Sequence, residues 1–555
     1  IFNSSIEPTL TVEGSIEKSA TNMYGPGFTD SDFEKLQPEE KSAINAYFEI
    51  ENINDKRVSK VTYYKIGGKF SEELSVAHYW LKKALDHSRL YPEIFDENIP
   101  NSLAHMIKFL ETGDEQDFKK FCIEWIKING GSLKSKIDFN FGFVEVYQDP
   151  KQYRGSFEAD ITIKAVDMQS LNKLFPILED QLPFPNEFKR QNLNEPGAIP
   201  NASVNAKLFG SGDAGPVKFT AAYCLPNYDE IRSQYGSKQI MYQQGKGLGE
   251  LVNPQAQKKL FNIKEHVEWL NQNDPENKLD HDVADVLTTL HETVGHASGR
   301  SSMHVFVEGD LLDIGGKKYS VGDEIQVTSD NINEFIGGYM SGLEELRAEI
   351  IALYISIYNF DELSKNNVFK DWPQKISKDK MIERLILHMA EAGLWRLLSQ
   401  NDDAKEISQA HARANTTILN YLLDHGGLEL IEEKVDVNNT QHTVVGLKIT
   451  DLKLAINAVK DLVIEVQRIK STGDGQAVIK LMKTYGTCVR HPEYIKVLKS
   501  NRKAVVGDIK EVAKIFPRLI PIQDKNNNII DVLAQWPKSF LESQFELREL
   551  AKSIK

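Results

Sequence analysis

At 555 residues, 41% hydrophobic and 26% charged, the chain can bury substantial cores and should divide into two or more domains. A formal charge of −14 argues against a nucleic-acid partner, whose phosphates would be repelled. No run of about 18 apolar residues occurs, which excludes a helical membrane span. Three cysteines, Cys122, Cys224 and Cys488, are too few for a disulfide framework and lack paired metal spacing, so a reducing compartment is favoured. The expected location is cytoplasmic, or exported if a leader was removed before Ile1.

Residues 33–125 read mostly as helices, with apolar spacing in Ala77 to Leu85. From about 137 to 165, and again near 217–243, alternating and β-branched segments such as Ile161-Thr162-Ile163 predict strands of a small sheet or barrel. Between them, 166–200 looks helical and ends in a connection marked by Pro183, Pro185, Pro196 and Pro200. The glycine-rich Gly210 to Gly215 lacks the lysine and spacing of a phosphate loop and reads as a turn. From 255 to 485 helices dominate, interrupted by a hairpin excursion from Gly309 to Val327 that turns at Gly315-Gly316. No internal repeat, heptad run or low-complexity segment is present.

The most informative segment is His291-Glu292-Thr293-Val294-Gly295-His296. In the common zincin motif two histidines four apart share one helical face and one zinc. Here they are five apart, which on a regular helix rotates the second by about 140°. An inserted residue of the π-bulge kind would return His296 to the metal side, and Gly295 would ease that distortion. Asp280, Asp282 and Asp285 before the apolar run Val286 to Leu290, with Gly299 as a stop, predict a helix. A hydrolytic zinc keeps three protein ligands and a water, so a third donor must come from elsewhere. Glu344-Glu345-Leu346-Arg347-Ala348-Glu349, opening a run rich in buried-type residues, is the best candidate. One of its carboxylates can bind metal while a neighbour accepts the free N–H of a ligating imidazole.

These two motifs resemble the signature of dipeptidyl peptidase III, a family of zinc exopeptidases that release dipeptides from peptide N-termini. The resemblance implies that His291, His296 and Glu345 hold one Zn²⁺ per chain, that Glu292 activates water as general base, and that Glu344 and Glu349 brace the histidines. Gly142 to Pro150 with Arg154 to Glu158 looks like the segment edging the substrate cleft, and Leu225 to Asp229 looks like the loop holding the substrate's N-terminus. Gln409-Ala410-His411 is similar to the segment whose histidine stabilises the transition state. By the same resemblance Asp138 replaces a glutamate that meets the substrate ammonium, Asn140 stands where a tyrosine is common, and Gly142 and Asn227 contribute to substrate binding. Cys224 replaces an asparagine of the N-terminus-binding loop. Arg502 is the candidate for the far end of the peptide. An exopeptidase also needs a charged stop for the α-amine, to which Glu145 or Glu158 could add.

The expected fold is α+β, with a mostly helical zinc-bearing lobe facing a mixed lobe with a small β-barrel core across a wide cleft. The expected division is 1–165 in the mixed lobe, 166–202 helical, 203–250 returning to the barrel, 251–500 catalytic, and 501–555 packing back on the mixed lobe. The expected activity is zinc-dependent dipeptidyl aminopeptidase action on short peptides with free N-termini. No nucleic acid or membrane is expected as a partner, and monomer and dimer remain open. The alternatives are a related aminopeptidase or oligopeptidase with another cut position, and a peptide-binding protein with little turnover. His388, His425 and His442 are read as ordinary surface or core histidines.

Overall fold

The computed structural model describes residues 15–506 and a hairpin at 518–535, with isolated positions beyond. Within those bounds 20, 55, 129–135, 147, 194–200, 213–221, 243–262, 275–277, 367, 369–375, 399–406, 408, 438, 488–489 and 527–528 lie outside the description, as do the side chains at 502–506. Expectations at Tyr147, Pro196, Pro200, Asp213 to Gly215, Cys488, the Arg502 side chain and most of 501–555 therefore fall outside the described residues.

The chain opens with α1 (Asp30–Glu34) and α2 (Pro38–Ser42), a hairpin of β1 (Ala46–Ile53) and β2 (Lys56–Tyr63), and helices α3 (Ser71–Leu90), α4 (Asn98–Thr112) and α5 (Glu115–Lys127). The hairpin corrects the helical reading of 33–125. Ala46, Tyr47 and Phe48 are buried at its start, and Asn54 adopts the left-handed conformation at its turn.

Next come β3 (Ile137–Glu145), β4 (Ser156–Asp167), α6 (Gln169–Asp180), β5 (Asn201–Gly212), β6 (Ala222–Leu225), α7 (Asp229–Tyr235) and β7 (Lys238–Tyr242). Their strands form one curled half-barrel sheet ordered β3-β4-β5-β7-β6, antiparallel except for the β5–β7 pair. Strand β5 extends into the segment read as a turn. Gly212 adopts φ +63°, and a Cβ there would press against the Phe157 carbonyl, so the position calls for glycine.

Helices α8 (Lys264–Asn273) and α9 (Lys278–Leu290) lead into a π turn (His291–Gly295), followed by β8 (Met303–Val305), β9 (Asp313–Ile314), β10 (Lys317–Lys318) and β11 (Glu324–Gln326). The last four make the expected excursion, with left-handed Gly315 and Gly316 at its tip. The large helical part continues with α10 (Ile332–Ile336), α11 (Met340–Tyr358), α12 (Phe360–Lys365), α13 (Lys378–Leu398) and α14 (Ala410–His425). A hairpin of β12 (Leu428–Val437) and β13 (Thr440–Ile449) follows, then α15 (Leu452–Thr472), α16 (Gly475–Leu481), a second π turn (Met482–Gly486) and α17 (Pro492–Val506). The β12–β13 hairpin is a second interruption of the helix-dominated stretch, beyond the expected excursion. Its strand signal is β-branched, with Val444, Val445 and Leu447 buried and left-handed Asn439 at the turn.

Three apolar clusters hold these elements. The largest joins α6, α9, the first π turn, α11, α13, α14 and α15. A second packs α4, α5 and the sheet through Phe109, Phe118, Phe121, Trp125 and Phe143. A third collects Tyr24, Phe28, Phe33 and Phe48 beneath the first hairpin. No helix among the described residues is long and apolar enough to cross a membrane. Residues of the first two clusters face each other across a cleft of about 940 Å³.

Candidate active site

The helix carrying His291 changes hydrogen bonding at the motif. The His296 N–H donates to the His291 carbonyl at 2.9 Å, an i→i+5 bond that accommodates the inserted residue. The imidazoles come together with centroids 4.6 Å apart and planes 88° apart. Gly295 is required by packing: a Cβ there would sit 2.6 Å from the Ala348 carbonyl oxygen of α11. The zinc-motif helix and the glutamate helix thus meet backbone to backbone.

Helix α11 is anchored by Leu343, Leu346, Ile350, Ile351 and Leu353, all fully buried. Its carboxylates consequently project from a rigid support. Glu345 Oε2 lies 3.3 Å from His291 Nε2 and 3.7 Å from His296 Nε2. One donor atom from each of the three residues fits within 4.8 Å of the others. The opposite ring nitrogens are engaged, His296 Nδ1 by Glu344 at 2.9 Å and His291 Nδ1 by Glu349 at 3.5 Å. Those contacts leave both Nε2 atoms aimed at one point, as in metal sites whose outer carboxylates set the imidazole tautomer. The buried Glu292 Oε2 has no hydrogen-bond partner among the described residues, while Glu345 Oε2 faces imidazole nitrogens. Two imidazoles, a carboxylate and an orphaned carboxylate oxygen beside them fit a small divalent cation with one open position.

Glu344 is surrounded by cations. Burial opposes its ionisation, but Arg347 and Lys470, then the His296 hydrogen bond and Arg232, hold it well below the usual range. Arg347 reaches it at 2.7 and 3.1 Å while donating to the His296 and Ser298 carbonyls, and Lys470 is 3.2 Å away. Glu349 accepts from Asn415 Nδ2 at 3.3 Å. Burial pushes the Glu292 carboxyl up, opposed by His291 and His296, which suits a group that must accept a proton. His411, at the start of α14, places Nδ1 3.1 Å from Glu345 Oε2 with its side chain partly open to the cleft.

The sheet supplies the opposite wall. Asn140, Glu145, Glu158, Cys224 and Asn227 all line the cleft. Asn227 Nδ2 donates to Glu145 Oε2 at 3.2 Å. Asn140 donates to Glu158 and is itself buried. Cys224 is buried, with Gln239 Nε2 3.3 Å from its sulfur.

Two of the expected substrate contacts lie apart from the cleft lining. Asp138 does not line the cleft: it is buried inside the half-barrel, 2.9 and 3.1 Å from Lys238 Nζ, so its charge is spent on a lysine. Gly142 is likewise off the cleft, where a Cβ would come within 2.6 Å of the Phe118 ring. Arg502 lies on α17, without a described side chain. Sequence reasoning missed Arg232, Lys470, Arg396 and Asn415, which surround the site from four helices and belong to no local motif.

Residues 32–527 match the family model described as Peptidase family M49. The chain belongs to this peptidase family. Among curated relatives it is 26% identical over 345 residues to dipeptidyl peptidase 3 of Nematostella vectensis, covering 60% of this chain and 43% of that protein. The Dictyostelium discoideum protein of the same description is 24% identical over 424 residues, and the human one 25% over 439, each covering 73% of this chain. Those alignments cover 56% and 54% of the relatives, so the chain spans about half the length of the curated proteins it matches. The fold is similar to dipeptidyl-peptidase III from Corallococcus sp. strain EGB, with TM-score 0.59, 19% identity, and 88% of this chain and 78% of that one covered. It is also similar to DPP III from Caldithrix abyssi, with TM-score 0.54, 21% identity, and coverage of 88% and 80%.

Proposed function

We propose that this chain is a zinc-dependent dipeptidyl aminopeptidase acting on short peptides. The observation that carries the reading is the convergence of His291 Nε2, His296 Nε2 and Glu345 Oε2, beside an orphaned Glu292 oxygen, in a cleft whose other wall presents the Asn227–Glu145 pair. Membership of a peptidase family and the likeness to dipeptidyl peptidase 3 proteins support it.

His291, His296 and Glu345 would hold the zinc, which when bound polarises a scissile carbonyl and acidifies water. Glu292 takes the proton of the attacking water and delivers it to the leaving amine. His411 donates a hydrogen bond to the oxyanion as the tetrahedral centre forms. Glu344 and Glu349 keep the histidine rings in their orientation. Glu145, with Asn227 beside it, receives the substrate's α-ammonium. Glu145 takes this role in place of Asp138 because it faces the cleft, whereas Asp138 is paired with Lys238 inside the half-barrel.

The test compares zinc-loaded protein and its Glu292→Ala variant on free and N-acetylated peptides, reading products by mass spectrometry. Successive loss of N-terminal dipeptides, abolished by the substitution and by acetylation, is expected. Single-residue or internal cuts would overturn the register, and intact peptides throughout would favour binding without turnover.

A further inference from the structure

Resting on the reading above, a dipeptide register requires the clamp for the α-amine and the water-activating centre to keep a fixed separation. An extended peptide advances by about 3.3–3.6 Å per residue, so a shift of that size changes the bond presented. Asn227 sits in the loop between β6 and α7, which belongs by sequence to the sheet. Yet Tyr228 and Ile231 lie in the sheet-side core while Cys224 lies in the helical core, so this short segment straddles both. Strand β6 packs directly against the π turn.

Helix α7 has two polar ties to the metal side. Arg232, 6% exposed, donates from Nη1 to the His296 carbonyl at 3.3 Å, and the same nitrogen stands 3.8 Å from Glu344 Oε1. Glu344 in turn holds His296 Nδ1. One guanidinium therefore touches both the backbone of a metal-site histidine and the carboxylate that orients its ring. At the other end of the same face, Asp229 Oδ2 accepts the Ser301 N–H at 3.0 Å, just beyond the motif. The amine loop enters α7 two residues after Asn227, leaving little slack between clamp and tie.

We propose that Arg232, helped by Asp229, is a positioning residue that fixes the distance between the N-terminus clamp and the metal-site histidine, and so sets the length of the released fragment. It touches neither the substrate's amine nor the reacting carbonyl. Its removal keeps the clamp groups Glu145 and Asn227 in the chain but lets the loop that carries Asn227 shift against the catalytic centre.

The experiment uses the full chain, zinc-loaded, as Arg232→Met and Arg232→Lys, with metal content measured on the same samples. A misplacement of about 1 Å can cost on the order of 100-fold in rate, so Arg232→Met should lose kcat on that scale with KM little changed. Single residues or tripeptides should appear beside dipeptides, and Arg232→Lys should restore most of the strict ladder. If Arg232→Met does not fold, Asp229→Ala removes the second tie and is read in the same way. Strict dipeptide ladders with unchanged kcat at full metal content, or a loss of activity that reloading with zinc repairs completely, would overturn the tie. The unmodified chain separates the two failures: an absent dipeptide ladder there overturns the cutting reading itself, and the tie with it.

Discussion

The metal centre and the half-barrel wall both bury many charges, but they dispose of them differently. Inside the barrel, Asp138 meets Lys238, and Asp160 meets Lys207 and the Tyr242 hydroxyl. Each carboxylate there has its own cation, so these groups hold the sheet together. At the metal centre the outer nitrogens are engaged by Glu344 and Glu349, both Nε2 atoms face Glu345 Oε2, and Glu292 Oε2 has no hydrogen-bond partner among the described residues. Residue type does not distinguish these carboxylates; what each one faces does, a buried lysine in the barrel and a pair of imidazoles at the cleft.

The largest expected effect tests that contrast in the barrel. Asp138→Asn leaves Lys238 buried without its counter-charge and should cost roughly 3–5 kcal/mol of stability, read by denaturant unfolding. KM for free-amine peptides should stay unchanged, while Glu145→Gln should raise KM with little loss of stability. The reverse pattern would return the amine anchor to Asp138. Smaller is the effect on the other wall. His411→Ala should lower kcat by about 100-fold or more with metal content intact, as for the loss of an oxyanion donor. A variant as fast as the unmodified protein would make His411 a packing residue of α14.

The smallest effect concerns pH. Asp160 is pushed up to about 6, mainly by burial, with Lys207 and the Tyr242 hydrogen bond opposing. Its folded-state pKa is above the ordinary 3.8, so the folded chain holds this proton more tightly than the unfolded one. The stability it contributes is complete below about pH 4 and is lost as pH rises through about 6. Asp160→Asn should lack that portion of the decline in unfolding free energy. Equal slopes for the two proteins across this window would remove Asp160 as its source.

Much of the metal centre was legible in the chain because its donors lie in two short motifs. The five-residue spacing of the histidines already required a distorted helix, and the π turn supplies it. The hairpins at 46–63 and 428–449 were harder to read beside long helical segments, since short alternating runs carry less signal than extended helical periodicity. The amine anchor was ambiguous for a specific reason. Asp138 and Glu145 are both acidic residues of β3, and their sequence positions do not say which faces the cleft. The β3–β4 pairing shifts register between Phe143 and Glu145, a bulge-like irregularity of the kind that re-aims side chains.

The sequence by itself determined the pairing of two histidines with a glutamate, the need for an inserted helical residue and the family resemblance, because contiguous residues on one helix have their relative geometry set by the backbone. Only the tertiary structure decided which carboxylates stand beside the imidazoles and which meet a buried lysine. It brought Lys238 to Asp138, Asn227 to Glu145, and Arg232 to the back of His296. Such pairings join residues 64 to 100 positions apart, where local periodicity carries no record of the partner and burial alone makes an unpaired charge costly.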